Sequence, residues 1–211
     1  MKKRVAMYPN PFAQDEWSRT YHPILRTLSE SLQQNEWDVI GLDIHDLISP
    51  EQLLACQIDV LLIHWTESIT KYFVNRVMHF FKPLNLRDQW IVPHTIAKAI
   101  ILHNMNIWLR RLKTTRIPVF YQIHELVSHG FMVKPLLYQA DLQVKGEIYK
   151  LAKAVLTQEY SSIEVIFDFY HLKKPFAITY LGDYSQFHGM PCTKAEAKNP
   201  YICKTMGKLY P

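Results

Sequence analysis

Short apolar runs alternate with longer segments of helical spacing along most of the chain. Arg4–Tyr8 (RVAMY) has the pattern of a first strand. Across residues 15–34, Trp17, Tyr21, Ile24, Leu25, Leu28 and Leu32 recur at helical spacing. Asp15 lies near the start of that helix, where the dipole favours an anion, and Pro23 inside the pattern marks a kink or a late start. Residues 38–42 (DVIGL) form a second strand. Ser49, Pro50 and Glu51 open a short helix, with Ser49 as N-cap and Pro50 at the first helical position. The run 58–65 (IDVLLIHW) is apolar almost throughout, as a strand buried on both faces of a parallel sheet must be. Helices over 71–81 and 95–113, a strand over 118–123 (PVFYQI), a helix over 134–150, a strand at Ala154–Thr157, a helix at Ser162–Tyr170 and a strand over 176–180 continue the alternation.

Strands alternating with helices of this length predict an α/β fold: a Rossmann-like open parallel sheet, helices on both faces, right-handed crossovers, and 58–63 near the centre. Ligands of such sheets bind beyond the carboxyl ends of the strands. The candidate segments are therefore 9–12, 43–45, 64–67, 124–129, 158–161 and 181–184. The pattern fades after Gly189, so 1–189 is expected to be one domain and 190–211 a linker. The helix over 95–113 carries two apolar stripes. Ala97, Ile101, Met105, Trp108 and Leu112 are placed to pack on the sheet. Ile96, Ile100 and Ile107 lie on another face beside Arg110, Arg111 and Lys113, as core under a neighbouring element or as a contact with an anionic membrane surface.

Of the 211 residues, 48% are hydrophobic, 13% aromatic and 20% charged, which excludes a disordered chain. A net charge of +5 suits an anionic partner without choosing one. The basic residues are dispersed, without an aromatic-interleaved stripe, so nucleic acid is not an expected partner. Cys56, Cys192 and Cys203 form no disulfide framework, consistent with a reducing cytoplasm. No apolar stretch approaches the ~20 residues of a membrane span. None of the six glycines forms G-x-G-x-x-G or a P-loop, which argues against a dinucleotide or NTP site. His124 and His129 in HELVSH stand five apart, about 140° around a helix, so they lack zincin geometry. Neither a metal nor a cofactor is expected. A histidine leaving a buried strand, as His124 does, can bond a sugar hydroxyl or exchange a proton near neutral pH; the alternative is a structural histidine held by backbone.

Five segments carry a family resemblance. LRRLKTTRIPVFYQIHELVSHGF resembles the helix-then-strand segment of GT-B retaining glycosyltransferases of the family 4 type, which read W-T-x-H-N/D-L-x-P-H: His124, Leu126 and His129 match, with Glu125 for Asn or Asp and Ser128 for Pro. YQADLQVKGEIYKLAKAVLTQEYSS is similar to the strand and turn that follow there. ITYLGDYSQFHG resembles a P-H-G-x-Y block through Gly182 and Tyr184, with Leu181 in place of histidine. YPNPF resembles the NPY entry through Asn10 and Pro11, with Phe12 for Tyr. LLIHWTE is similar to an H-W-p-E strand end, matching His64, Trp65 and Glu67.

The resemblance implies transfer of a sugar, with retained anomeric configuration, from a nucleotide-sugar donor to a saccharide or lipid-linked acceptor. It implies that His124 acts beside the transferred sugar. Asn10, Pro11, Phe12, His64, Trp65, Glu67, Glu125, His129, Gly182, Asp183 and Tyr184 would surround the substrate. TKAEAK resembles the first turn of the family's second domain. On that reading 190–211 begins a donor domain that the chain does not contain, and the chain alone is inactive. A non-catalytic module that binds carbohydrate, lipid or a partner chain is the alternative.

Overall fold

The computed structural model describes residues 2–13, 23–81, 94–123, 126, 135–158 and 161–179. Its elements are β1 (Arg4–Tyr8), α1 (Pro23–Gln34), β2 (Asp38–Gly41), α2 (Ile44–Ile48), α3 (Pro50–Ala55), β3 (Val60–Ile63), α4 (Glu67–Phe81), α5 (His94–Thr114), β4 (Val119–Gln122), α6 (Pro135–Leu151), β5 (Ala154–Thr157), α7 (Ser162–Tyr170) and β6 (Phe176–Ile178). The six strands form one sheet in the order β2-β1-β3-β4-β5-β6. Every pairing is parallel. The fold is the expected Rossmann-like α/β sheet, and the apolar run at β3 lies near its centre.

Chain direction decides which face each helix covers. From β1 the chain steps outward to β2, and every later step runs the other way. Right-handed crossovers put helices from opposite steps on opposite faces. Accordingly, the larger core joins Ala6, Tyr8, Leu61, Ile63, Val119, Tyr121 and Val155 to residues of α2 through α7. The smaller core joins Val5, Met7, Val39 and Leu62 to Leu25 of α1. Six described helices thus share one face, and α1 alone covers the other.

The α5 stripe of Ala97, Ile101, Met105, Trp108 and Leu112 is buried in the larger core. Ile100 packs partly against that core, whereas Ile96 and Ile107 are exposed. No helix among the described residues is long and apolar enough to cross a membrane.

Some boundaries differ from expectation. α2 was not anticipated; Asp43 forms it by accepting from the backbone N–H groups of His45 and Asp46, while Asp46 returns a bond to the Asp43 N–H. α4 begins at Glu67 rather than residue 71, because its first turn is polar apart from Ile69 and carries no apolar periodicity of its own.

Among the described residues, four other than glycine adopt positive φ: Glu36, Gln57, Arg116 and His171. Each closes a helix, α1, α3, α5 and α7 respectively, just before the chain turns into a strand. At α1 the Glu36 N–H bonds Gln33 O and the Trp37 N–H bonds Leu32 O, both at 3.0 Å. These two bonds satisfy carbonyls that the helix end would leave open. At α3 and α5 the Gln57 and Arg116 N–H groups make the corresponding bonds to Leu54 O and Lys113 O. The left-handed conformation costs an L-residue about 1 kcal/mol that glycine avoids. We expect Gln57→Gly and Arg116→Gly each to raise stability by about 0.5–1 kcal/mol in urea unfolding. A lower midpoint in both variants would show that side-chain contacts outweigh the backbone term.

Candidate functional site

β1 sits between β2 and β3, and the chain leaves its neighbours in opposite directions. A crevice opens at the carboxyl end of such a switch point, where ligands of open α/β sheets bind. Tyr8 pairs with Ile63, and the His64 N–H donates to Tyr8 O at 2.8 Å, so the ends of β1 and β3 are adjacent. Asn10, Pro11 and Phe12 follow β1; His64, Trp65 and Glu67 follow β3. The two segments therefore leave from adjacent strand ends. His124, Glu125, His129, Gly182, Asp183 and Tyr184 lie outside the described residues.

Past the cis Tyr8–Pro9 peptide, the chain is held by the Asn10 side chain. Its Oδ1 accepts from the Phe12 N–H at 2.9 Å, and Ala13 N–H closes a turn on Asn10 O at 3.4 Å. The Asn10 amide lies directly over Gly41 at the end of β2. A Cβ at position 41 would stand 1.9 Å from Asn10 Oδ1 and 2.4 Å from its Cγ. A side chain at 41 would have to displace the Asn10 amide and with it the bond to the Phe12 N–H. Phe12 is 45% exposed, leaving an aromatic surface at the rim.

His64 is buried, and its ring meets Trp65 edge-on with centroids 4.6 Å apart. Its Nδ1 lies 2.7 Å from Gln122 Oε1 at the end of β4. Gln122 Nε2 donates to Thr179 Oγ1 at 2.9 Å, just past β6. A polar chain thus crosses the carboxyl ends of the central strands, including a glutamine with no exposed surface. Burying an amide is costly unless it is bonded, and here both ends are.

On the other side of β3, Tyr8 is buried and its hydroxyl bonds Ser68 of α4. Burial pushes the Tyr8 phenol up to about 12; the Ser68 bond opposes this and the nearby Asp43 carboxylate adds to it. Beneath the loop, Asp141 of α6 accepts from Thr70 at 3.0 Å and Thr66 at 3.4 Å and pairs with Lys145 at 3.3 Å. Asp141 and Lys145 are almost wholly buried. This cluster ties the first turn of α4 to α6 and so fixes the segment that carries His64 to Glu67.

Sequence patterns did not single out Gln122, Thr179, Tyr8, Ser68, Asp141 or Lys145. Gln122 could have been noticed as the polar residue in an apolar strand, PVFYQI. Asp141 and Lys145 fall at the spacing of Leu137, Ala140, Val144 and Ile148, which is the buried face of α6. A cavity of about 290 Å³ is lined by Leu53, Gln57, Asp59, Arg116 and Pro118, at the amino end of the sheet and away from these groups.

Two outcomes are expected. Gly41→Ala should destabilise the chain by more than about 1 kcal/mol, and by less when Asn10 is also alanine; equal costs in both backgrounds would remove the close approach as the cause. For Tyr8, the folded chain keeps a proton that the unfolded chain loses above about pH 10. Its contribution is fully present below about pH 10 and falls by about 2 kcal/mol on reaching pH 12. Denaturant midpoints should fall more steeply over that range for wild type than for Tyr8→Phe, and parallel curves would refute the assignment.

No family model, curated protein or solved structure matches this chain.

Proposed function

We propose that this chain is the acceptor-side half of a two-domain GT-B glycosyltransferase, which carries a saccharide or lipid-linked acceptor to a nucleotide sugar held by a donor half. The carrying observation is that Asn10–Phe12 and His64–Glu67, two segments that resemble the family, follow adjacent strand ends at the β1/β3 switch point. The chemistry present there suits a polyhydroxylated ligand. Asn10, Glu67, Asp43 and Ser68 offer hydrogen-bonding groups, and Phe12 and Trp65 offer apolar ring surface for sugar C–H groups. In the reaction an acceptor hydroxyl bonds to the anomeric carbon on the face from which the nucleotide diphosphate leaves, and its proton passes to the departing phosphate. The acceptor half contributes by holding that hydroxyl against the face that the diphosphate leaves, which reduces the entropy lost on reaching the transition state. The resemblance assigns His124 a role beside the transferred sugar.

A lipid-linked acceptor would bring the protein to an anionic, cytoplasmic-facing membrane surface. Exposed Ile96 and Ile107 of α5, beside the exposed Arg110 and Lys113, support that part of the proposal.

Saturation-transfer NMR with a panel of di- and trisaccharides tests the reading. Wild type is expected to show transfer to at least one of them, weakened about tenfold or more by Trp65→Ala. No saccharide signal in wild type, or an equal one in Trp65→Ala, would overturn the proposal.

A further inference from the structure

Helix α7 carries apolar residues on two sides. On its inner side Ile163 and Ile166 are buried, and Tyr170 stacks on Tyr149 of α6 with ring centroids 4.2 Å apart. On its outer side Val165 and Phe169, one turn apart, are 56% and 41% exposed. A surface helix needs only the inner stripe. Past the left-handed His171 that ends α7, Leu172 is 40% exposed, and its carbonyl accepts from the buried Tyr149 hydroxyl. The outer apolar face therefore has a fixed support. Its charges are segregated by sign: Glu164 and Asp168 are exposed on the helix, and His171 and Lys173 are exposed beyond its end. Lys174 is committed elsewhere, donating to Lys150 O at 2.9 Å and to Ala152 O at 2.8 Å.

We propose that the outer face of α7 is where two copies of this chain associate, with their α7 helices antiparallel about a two-fold axis beside Phe169. In a two-fold contact, residue i meets residue j and j meets i. With the axis beside Phe169, the two Phe169 rings meet and Val165 comes opposite the second copy's Leu172. The same register sets Glu164 opposite the second copy's Lys173, and Asp168 within one turn of its His171. One arrangement thus joins the apolar pairs and the opposite charges together. A parallel arrangement would set Glu164 against Glu164 and Lys173 against Lys173. An anionic lipid surface would attract Lys173 but be repelled by Glu164 and Asp168. A nine-residue helix offers less than the ~800 Å² per partner of a stable interface, so the dimer is weak, dissociating at roughly 10–500 μM. Because the helices run in opposite directions, so do the sheets, and the two β1/β3 crevices open at opposite ends of the dimer. The association does not depend on what those crevices bind.

Sedimentation equilibrium of the full chain at low salt, from micromolar to millimolar concentration, tests the proposal. Wild type is expected to rise with concentration toward the mass of two chains. Phe169→Glu buries a charge at the axis and is expected to weaken association about tenfold or more. Glu164→Lys and Lys173→Glu each set like charges opposite one another twice per dimer, and each is expected to weaken it about fivefold. Mixing those two variants, or combining both changes in one chain, restores opposite charges across the axis and is expected to recover the wild-type affinity. A wild type that stays monomeric throughout would overturn the proposal, the face then being covered by residues 180–211 or by an unlike partner. Association unchanged in Phe169→Glu, or no stronger in the mixture than in either charge variant alone, would overturn it as well. The charge variants alter only exposed positions and decide the matter if Phe169→Glu fails to fold.

Discussion

Two backbone hydrogen bonds hold the end of β1 between its neighbours, and the site depends on them. Leu42 N–H donates to Met7 O at 2.9 Å, and His64 N–H donates to Tyr8 O at 2.8 Å. With β1 fixed between β2 and β3, right-handed connections must leave on opposite faces. That one constraint separates α1 from the other helices, divides the apolar residues into two cores and opens the carboxyl-end crevice. Past β1 the chain turns toward β2 and sets Asn10 over Gly41. The side chain and the bare backbone beneath it form one unit.

The crevice is supported by polar groups buried where an apolar core would ordinarily continue. A buried ion pair gains little over apolar packing, whereas losing one partner leaves an uncompensated charge worth roughly 3–5 kcal/mol. Asp141 and Lys145 offset their desolvation through each other and through Thr66 and Thr70. The carboxylate also lies beside the first turn of α4, where the helix dipole favours a negative charge. His64 and Gln122 are satisfied in the same manner on the opposite face of β3. Both networks converge on the segment from His64 to Glu67. A loop between two satisfied networks has few alternative arrangements, which is the condition for holding a reacting group in one geometry.

Much of this was legible in the chain. Parallel strands buried on both faces announce themselves as apolar runs, so β1, β3 and β5 were located to within two residues of their ends. The core stripe of α5 followed from spacing alone. Because β1 and β3 are neighbours, the segments that carry Asn10 and His64 leave from adjacent strand ends. The missed features share a cause. Asp141 and Lys145 form an i,i+4 charge pair, which on most helices is a solvated pair, and only their coincidence with the apolar face of α6 reveals burial. Gln122 is one polar residue at the end of an apolar run, and a run that short does not show which neighbour will bond it. α2 is five residues long and is set by the side chain of Asp43 rather than by periodicity. The helix ends carry no glycine signal, because Glu36, Gln57, Arg116 and His171 occupy positions that glycine favours.

Those four residues also bear on where function resides. Backbone strain often collects at active sites, so four outliers invite a functional reading. Their placement argues against it. Helices of a parallel α/β sheet end at the amino edge, where the next strand begins, and all four residues lie at such ends. The open cavity of about 290 Å³ bordered by Gln57 and Arg116 is at the same edge, where two helix ends meet the starts of β3 and β4. Ligands of open sheets bind at the opposite edge. At the amino edge the strain is met locally, by the carbonyls that Glu36, Gln57 and Arg116 bond. At the carboxyl edge no described residue has positive φ, and the cost appears instead as buried polar side chains. Strain that glycine would relieve is a property of the scaffold; burial that only specific partners can satisfy marks the site.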